Sequence, residues 1–176
     1  MKKQVLAICG STRQQSSNLF IIQSLAALLS NDVEIEVYND LTVLPYFNPD
    51  LDKGTAPSVV ELFREKIIKA HGVLICTPEY VFSLPGVLKN AIEWCVSTTI
   101  FSSKPVALIT ASASGVAAHE SLQLLMKTIY ADVRKETQLL IQGAKGKIDK
   151  DGRVIDPGTA DDLKRLAEAF LVQLNG

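Results

Sequence analysis

Side chains that bind metals or carry thiol chemistry are scarce in this sequence. Its 176 residues hold only two histidines, His71 and His119, and three cysteines, Cys9, Cys76 and Cys95. The cysteines are odd in number, far apart and set in apolar runs, which argues against a disulfide framework or a zinc site and for reduced thiols in a cytoplasmic core. An excess of charge is missing too: 18 Lys and Arg stand against 19 Asp and Glu, for a net charge of −1. That excludes the basic surface of a nucleic-acid binder. It also lacks the strongly acidic face with which many soluble electron carriers meet their partners. No apolar run is long enough for a membrane span. The basic start at Lys2 and Lys3 leads into Val5–Cys9, but Gly10 and the polar residues to Asn18 end that run short of a signal-peptide core. Neither G-x-G-x-x-G after the first apolar run nor G-x-x-x-x-G-K-[ST] anywhere is present. Gly143-Ala144-Lys145-Gly146-Lys147 fits neither pattern, so a Rossmann cradle and a P-loop are both disfavoured.

What the chain does have is a regular alternation. Val5–Cys9, Val73–Cys76 and Val106–Ile109 are short, continuous apolar runs, the pattern of strands buried on both faces of a parallel sheet. Val33, Ile35 and Val37 alternate with polar neighbours, which predicts a half-exposed strand near a sheet edge. Leu139–Ile141 is the fifth strand. Helical spacing links these runs: Leu19 to Ser30, Val59 to Ile68, Pro85 to Trp94 with Pro85 as first helical residue, Ala117 to Tyr130, and Asp161 to Leu174. Five strand–helix units predict a single domain over residues 1–176, an α/β three-layer, doubly wound, parallel five-stranded sheet. Ligands of such sheets bind beyond the strand carboxyl ends, where the strand order reverses. The loops after strands one, three and four are therefore the candidate sites.

The first loop, Gly10-Ser11-Thr12-Arg13-Gln14-Gln15-Ser16-Ser17-Asn18, joins a buried strand to a helix start. Its hydroxyls and amides, with Arg13, suit an anion favoured by the helix dipole. Ser16, Ser17 and Asn18 are equally good helix caps, and residue types alone leave cradle and cap open. A phosphate held by hydroxyls and amides without magnesium suits a mononucleotide.

The second loop and the helix after it read Thr77-Pro78-Glu79-Tyr80-Val81-Phe82-Ser83-Leu84-Pro85-Gly86-Val87-Leu88-Lys89-Asn90-Ala91-Ile92-Glu93-Trp94. Together the two segments resemble the NADPH-dependent FMN reductase family, which carries G-S-x-R-x-x-S-x-N after strand one and P-E-Y-N-x-S-x-P-G-x-L-K-N-A-I-D-W after strand three. The resemblance runs from about Val5 to Ile141. It implies a flavodoxin-like fold of strand order 2-1-3-4-5, with FMN and NADPH or NADH as cofactors. It places Ser11, Arg13, Ser16, Ser17 and Asn18 around the FMN phosphate, and Pro78, Glu79, Tyr80 and Val81 along the isoalloxazine ring, mostly through backbone groups. Ser112, Ser114 and Gly115, in the small-residue loop Thr110–Gly115, would approach the flat ring. Two departures stand out. Val81 replaces the family's usual Asn, and the third loop has one glycine where the family commonly has a pair.

The implied activity is hydride transfer from a nicotinamide to flavin N5, then to a small-molecule acceptor (flavin, quinone, azo compound or chromate-like oxyanion), by a ping-pong mechanism with no catalytic side chain and no metal. A homodimer or homotetramer in the cytoplasm is expected, with Pro85–Ser97 contributing to the interface. A flavodoxin-type electron carrier and a flavin-free interaction protein on the same fold are the competing readings. Trp94 and Cys95 read as core, Glu79 as a loop acid without a general-base role, and His119 as a surface or capping residue.

Overall fold

The computed structural model describes residues 2–176. In chain order the elements are β1 (Lys3–Cys9), α1 (Ser17–Leu29), β2 (Val33–Tyr38), α2 (Ser58–Lys69), β3 (Gly72–Thr77), α3 (Gly86–Glu93), β4 (Val106–Ser112), α4 (Val116–Thr128), β5 (Gln138–Gln142) and α5 (Pro157–Asn175). The sheet runs β2-β1-β3-β4-β5, and every neighbouring pair is parallel. The order reverses between β1 and β3, so the loops after these two strands diverge and leave a crevice.

Strand alternation sends side chains to both faces, and both are covered. Leu6, Ile8, Val73, Ile75 and Leu108 meet α2, α3 and α4 through Phe63, Ile67, Leu88, Leu122 and Met126. Val5, Ala7, Cys9, Leu74, Cys76 and Ile109 meet α1 and α5 through Ile21, Ile22, Leu25 and Phe170. This double burial is why Val5–Cys9, Val73–Cys76 and Val106–Ile109 are continuous apolar runs. β2 at one edge is half-exposed, as its alternation predicts, burying Val33 and partly covering Ile35, but Val37, at the end of the apolar face, is left at the surface. β5 at the other edge buries only Ile141.

Three boundaries differ from the sequence expectation. Pro85 has extended ψ (135°) and caps α3 from outside rather than opening it. α5 starts at Pro157, four residues before Asp161, because Asp156 Oδ2 accepts hydrogen bonds from Thr159 N at 2.8 Å and Oγ1 at 2.7 Å. Proline at the first helical position costs no hydrogen bond there. Thr110, Ala111 and Ser112 extend β4 instead of forming a loop, since they pair with Leu140, Ile141 and Gln142 of β5. Only residues 113–115 remain to turn the chain into α4.

The long segment after β2 lies across α3. Asn90 Oδ1 accepts from Phe47 N at 2.7 Å, while Asn90 Nδ2 and Trp94 Nε1 donate to Pro45 O at 2.9 and 2.7 Å. Phe47 meets the Trp94 ring edge-on at 5.1 Å. Trp94 is fully buried and its single polar atom is used, so it is packing. Arg64 pins the same segment from α2. Its guanidinium lies 2.8 and 2.9 Å from the two Asp52 carboxylate oxygens, and both side chains are buried.

Candidate active site

A cleft of about 410 Å³ opens at the carboxyl ends of the central strands. It is lined by Ser11, Arg13, Ser16, Ser17 and Asn18 after β1, by Pro78 and Tyr80 after β3, by Ala111–Ala113 at the end of β4, and by Gly143–Gly146 after β5. A larger hollow of about 560 Å³ lies at the opposite end of the sheet, where Ser103 and Gln138 precede or begin the strands. Doubly wound sheets bind ligands at the carboxyl end, so the smaller cleft is the candidate site.

Its floor is fixed by Gly10. The Gly10 amide donates to Cys76 O at 2.8 Å, and a Cβ there would stand 2.4 Å from Thr77 Oγ1. Only glycine lets β1 leave the sheet this close to β3. The next residues build a donor array. Ser11 Oγ accepts from Arg13 N at 3.3 Å, and Ser16 Oγ accepts from Asn18 N at 3.2 Å as the α1 cap. Each hydroxyl proton is still free to donate outward. The amides of Thr12, Gln14, Gln15 and Ser16 meet no protein acceptor among the described residues. The first turn of α1 carries no acid, and no Asp or Glu lines the cleft. Hydroxyls, amides, a helix dipole and a guanidinium without a competing carboxylate form the donor set a phosphomonoester requires. Cap and cradle are thus compatible in one arrangement, because the Ser16 oxygen caps while its hydroxyl lines the cleft and keeps its proton free to donate.

Asn18 is buried, and its amide spans the sheet. Oδ1 accepts from the Cys76 thiol at 3.3 Å, and Nδ2 donates to Ala111 O at 3.3 Å. The side chain therefore ties the start of α1 to β3 and β4 together. Cys76 faces the same core as its register partner Cys9. Burial raises the thiol pKa at both, and pushes Cys95 up to about 12. All three cysteines are buried and stay protonated, which suppresses thiolate chemistry. Among the described residues no group of His, Cys, Asp and Glu is arranged to hold a metal ion, and no helix is long and apolar enough to cross a membrane.

The loop after β3 behaves differently from its neighbours. Tyr80 and Ser83 exchange backbone hydrogen bonds of 2.9 and 3.0 Å, closing a two-residue hairpin over Val81 and Phe82. Both central residues have positive φ, 51° and 53°. That geometry favours Asn, Asp or Gly, and a β-branched valine there is strained. Val81 is 96% exposed and lies outside the cleft. Tyr80 reaches the cleft from the base of the hairpin.

Glu79 turns away from the cleft. Its carboxylate accepts from Gly115 N at 3.0 Å and Ala118 N at 3.1 Å, capping α4 from another loop. Gly115, at φ 85°, has no side chain to do so itself. Ser114 and Gly115 stand beside the cleft rather than on its wall, while Ser112 lines it and reaches Glu79 O at 3.5 Å. His119 is a half-buried partner of the fully buried Thr110, Nδ1 to Oγ1 at 2.9 Å, and neither caps nor stands free at the surface. Its pKa is lowered chiefly by burial.

Sequence reasoning missed one wall. In the sequence, Gly143–Gly146 reads only as a segment that fits no P-loop. The signal was available, because this turn also follows a strand carboxyl end.

A doubly wound parallel sheet with an acid-free, donor-rich cleft at its switch point defines a flavodoxin-like protein with a candidate anion site. Comparison with known proteins refines this. The NADPH-dependent FMN reductase family matches residues 3–145. An NAD(P)H-dependent FMN reductase of Pseudomonas aeruginosa is 33% identical over 172 residues, covering 95% of this chain and 92% of its own. A quinone reductase of Escherichia coli is 31% identical over 176 residues, covering 96% and 94%. Among solved structures, a flavoenzyme NAD(P)H:(acceptor) oxidoreductase from Paracoccus denitrificans superposes with a TM-score of 0.86 at 28% identity, over 98% of this chain and 97% of that one. The chain belongs to the NADPH-dependent FMN reductase family. It is an oxidoreductase of that type, with FMN and NAD(P)H as its cofactors.

Proposed function

We propose that the chain carries reducing equivalents from NADPH or NADH, through FMN held in the cleft, to a small flat acceptor of the quinone class, by a ping-pong cycle. The acid-free array from Ser11 to Asn18 at the β1/β3 switch point carries this reading. The relatives' names support the acceptor class, among them quinone reductase and 2-hydroxy-1,4-benzoquinone reductase. When bound, FMN supplies the hydride chemistry. The protein's own groups hold and orient.

The hydroxyls of Ser11, Ser16 and Ser17, the loop amides and Arg13 take the phosphate. Asn18 acts by fixing the loop, since its amide already joins Cys76 to Ala111. Pro78, Tyr80 and Ser112, which line the cleft, would border the ring with the backbone at Glu79 beside them, while Val81 stands outside the cleft and would bear on the ring only through the hairpin it closes. Glu79 contributes by holding the α4 start, with Ser114 and Gly115, at a set distance from that loop. No side chain is asked to move a proton in the hydride step. One opening serves donor and acceptor in turn, which is the physical reason for ping-pong order. We read the 176 residues as one such cytoplasmic domain. Exposed Val81, Phe82 and Val96 at the two ends of α3 favour pairing of two copies there.

Steady-state kinetics of the FMN-loaded protein test this. Parallel double-reciprocal lines for NADPH against a benzoquinone are expected. Intersecting lines contradict the ping-pong order. Lower kcat/KM for quinones than for azo dyes or chromate contradicts the acceptor class.

A further inference from the structure

We infer that Lys145 supplies a second cation for the flavin phosphate and so helps the chain retain FMN in preference to riboflavin. This rests on the FMN reading above and adds a residue that neither signature loop contains.

Among the described residues, Arg13 and Lys145 are the only charged side chains lining the cleft. Among the described residues neither joins an ion pair, although nine such pairs are formed elsewhere. Two unpaired cations facing a cleft without an acid leave an uncompensated charge of two. A phosphomonoester carries about −1.5 to −2 at neutral pH, which matches. A single guanidinium leaves half of that charge unanswered.

The turn that carries Lys145 is held in place. Gly143, at φ 64°, donates its amide to Ala113 O at 3.1 Å, joining the turn to the end of β4. Gly146 N and Lys147 N donate back to Gly143 O and Ala144 O at 3.0 and 3.1 Å. Ala144 is buried in the core that includes Ile21 and Ile22 of α1. Farther on, Gly152 lies so close to Phe20 of α1 that a Cβ would stand 2.5 Å from the ring. The segment after β5 is therefore seated on the helix whose start forms the phosphate loop. Lys145 itself is exposed, with a flexible stem and a compact charge that follows a phosphate without fixed geometry.

The 2′-phosphate of NADPH has the same chemistry, and the test separates the two sources. FMN and riboflavin affinities are measured by flavin fluorescence for the wild type, Lys145→Met, Lys145→Arg and Lys150→Met. Exposure of Lys145 and Lys150 means that none of these substitutions removes a packed side chain. Lys145→Met is expected to weaken FMN about tenfold, the loss of one charge-assisted contact, with riboflavin affinity unchanged. Lys145→Arg keeps FMN affinity within about twofold, and Lys150→Met leaves both flavins unaffected. A wild type that binds FMN while Lys145→Met binds it equally well overturns the assignment and spares the FMN reading. A KM for NADPH raised without change for NADH or for FMN assigns Lys145 to the nicotinamide and overturns it as well. A wild type that binds no FMN overturns both.

Discussion

Glu79 Oε1 accepts the amide of Gly115 at 3.0 Å, although the two residues lie 36 positions apart. Ala118 N binds the other oxygen at 3.1 Å, so one carboxylate from the β3 loop closes the first turn of α4. Helix starts usually take such a cap from their own Ser, Thr, Asp or Asn. Here the cap also fixes the distance between two loops that border the cleft.

Replacing Glu79 should therefore act on α4 as well as on flavin. Glu79→Ala is expected to cost about 1–2 kcal/mol in urea unfolding. Hydrogen exchange should accelerate first at the amides of Gly115 and Ala118. Glu79→Gln, with one acceptor oxygen left, should fall between. Unchanged exchange at those amides would contradict the cap.

Val81 makes the opposite prediction, a gain. It holds φ 51° in a hairpin while 96% exposed, so strain is present and there is no packing to lose. Val81→Asn should raise stability by about 1 kcal/mol, since asparagine tolerates this region far better. Val81→Ile, equally β-branched, should give no gain. Denaturant midpoints of the three proteins decide the matter.

Asn18→Asp tests the buried amide. The carboxylate cannot donate to Ala111 O, and it brings negative charge beside an anion site. FMN affinity should fall by at least about tenfold. Asn18→Ala should lower stability by about 1–3 kcal/mol by leaving the Ala111 carbonyl unpaired. Flavin titration and thermal unfolding of both variants give the two numbers.

Acid sensitivity should have an identifiable origin. Burial lowers the His119 pKa, so near pH 6.5 the unfolded chain takes up a proton that the folded chain refuses. Stability from this group is present above the unfolded value and is lost as pH falls toward the folded one. Asp52 works in the same direction at lower pH. Burial alone would raise its pKa, but hydrogen bonds from Ser97 and Arg64 hold it below the usual carboxylate range. Urea midpoints between pH 7 and 5 should fall in the wild type and flatten in His119→Gln. An equal slope in both proteins would rule out His119 as the source.

Much of this molecule is written locally. Val5–Cys9 and Val73–Cys76 declare central strands because both faces are buried, and Val33–Tyr38 declares an edge by alternating. Gly10–Asn18 marks a strand-to-helix cradle by its composition. What the sequence withheld depends on distant partners. Thr110–Ser112 looks like a loop until β5 pairs with it. Glu79 looks like an idle acid until α4 starts beside it, and His119 looks like a surface residue until Thr110 meets it. Lys145 looks like part of a failed motif until the path of the chain over α1 brings it to the cleft. The Val81 backbone follows from the bonds between Tyr80 and Ser83, which composition does not announce.

The central claim is that this cleft holds FMN for a reduced nicotinamide. Anaerobic stopped-flow mixing of the FMN-loaded protein with NADPH and with NADH, followed at the flavin absorbance near 450 nm, tests it most directly. The account predicts one FMN bound per chain and its rapid bleaching by at least one nicotinamide, with colour restored by a quinone. Failure to bind FMN, or a bound flavin that neither nicotinamide bleaches, as in an electron carrier, would contradict it.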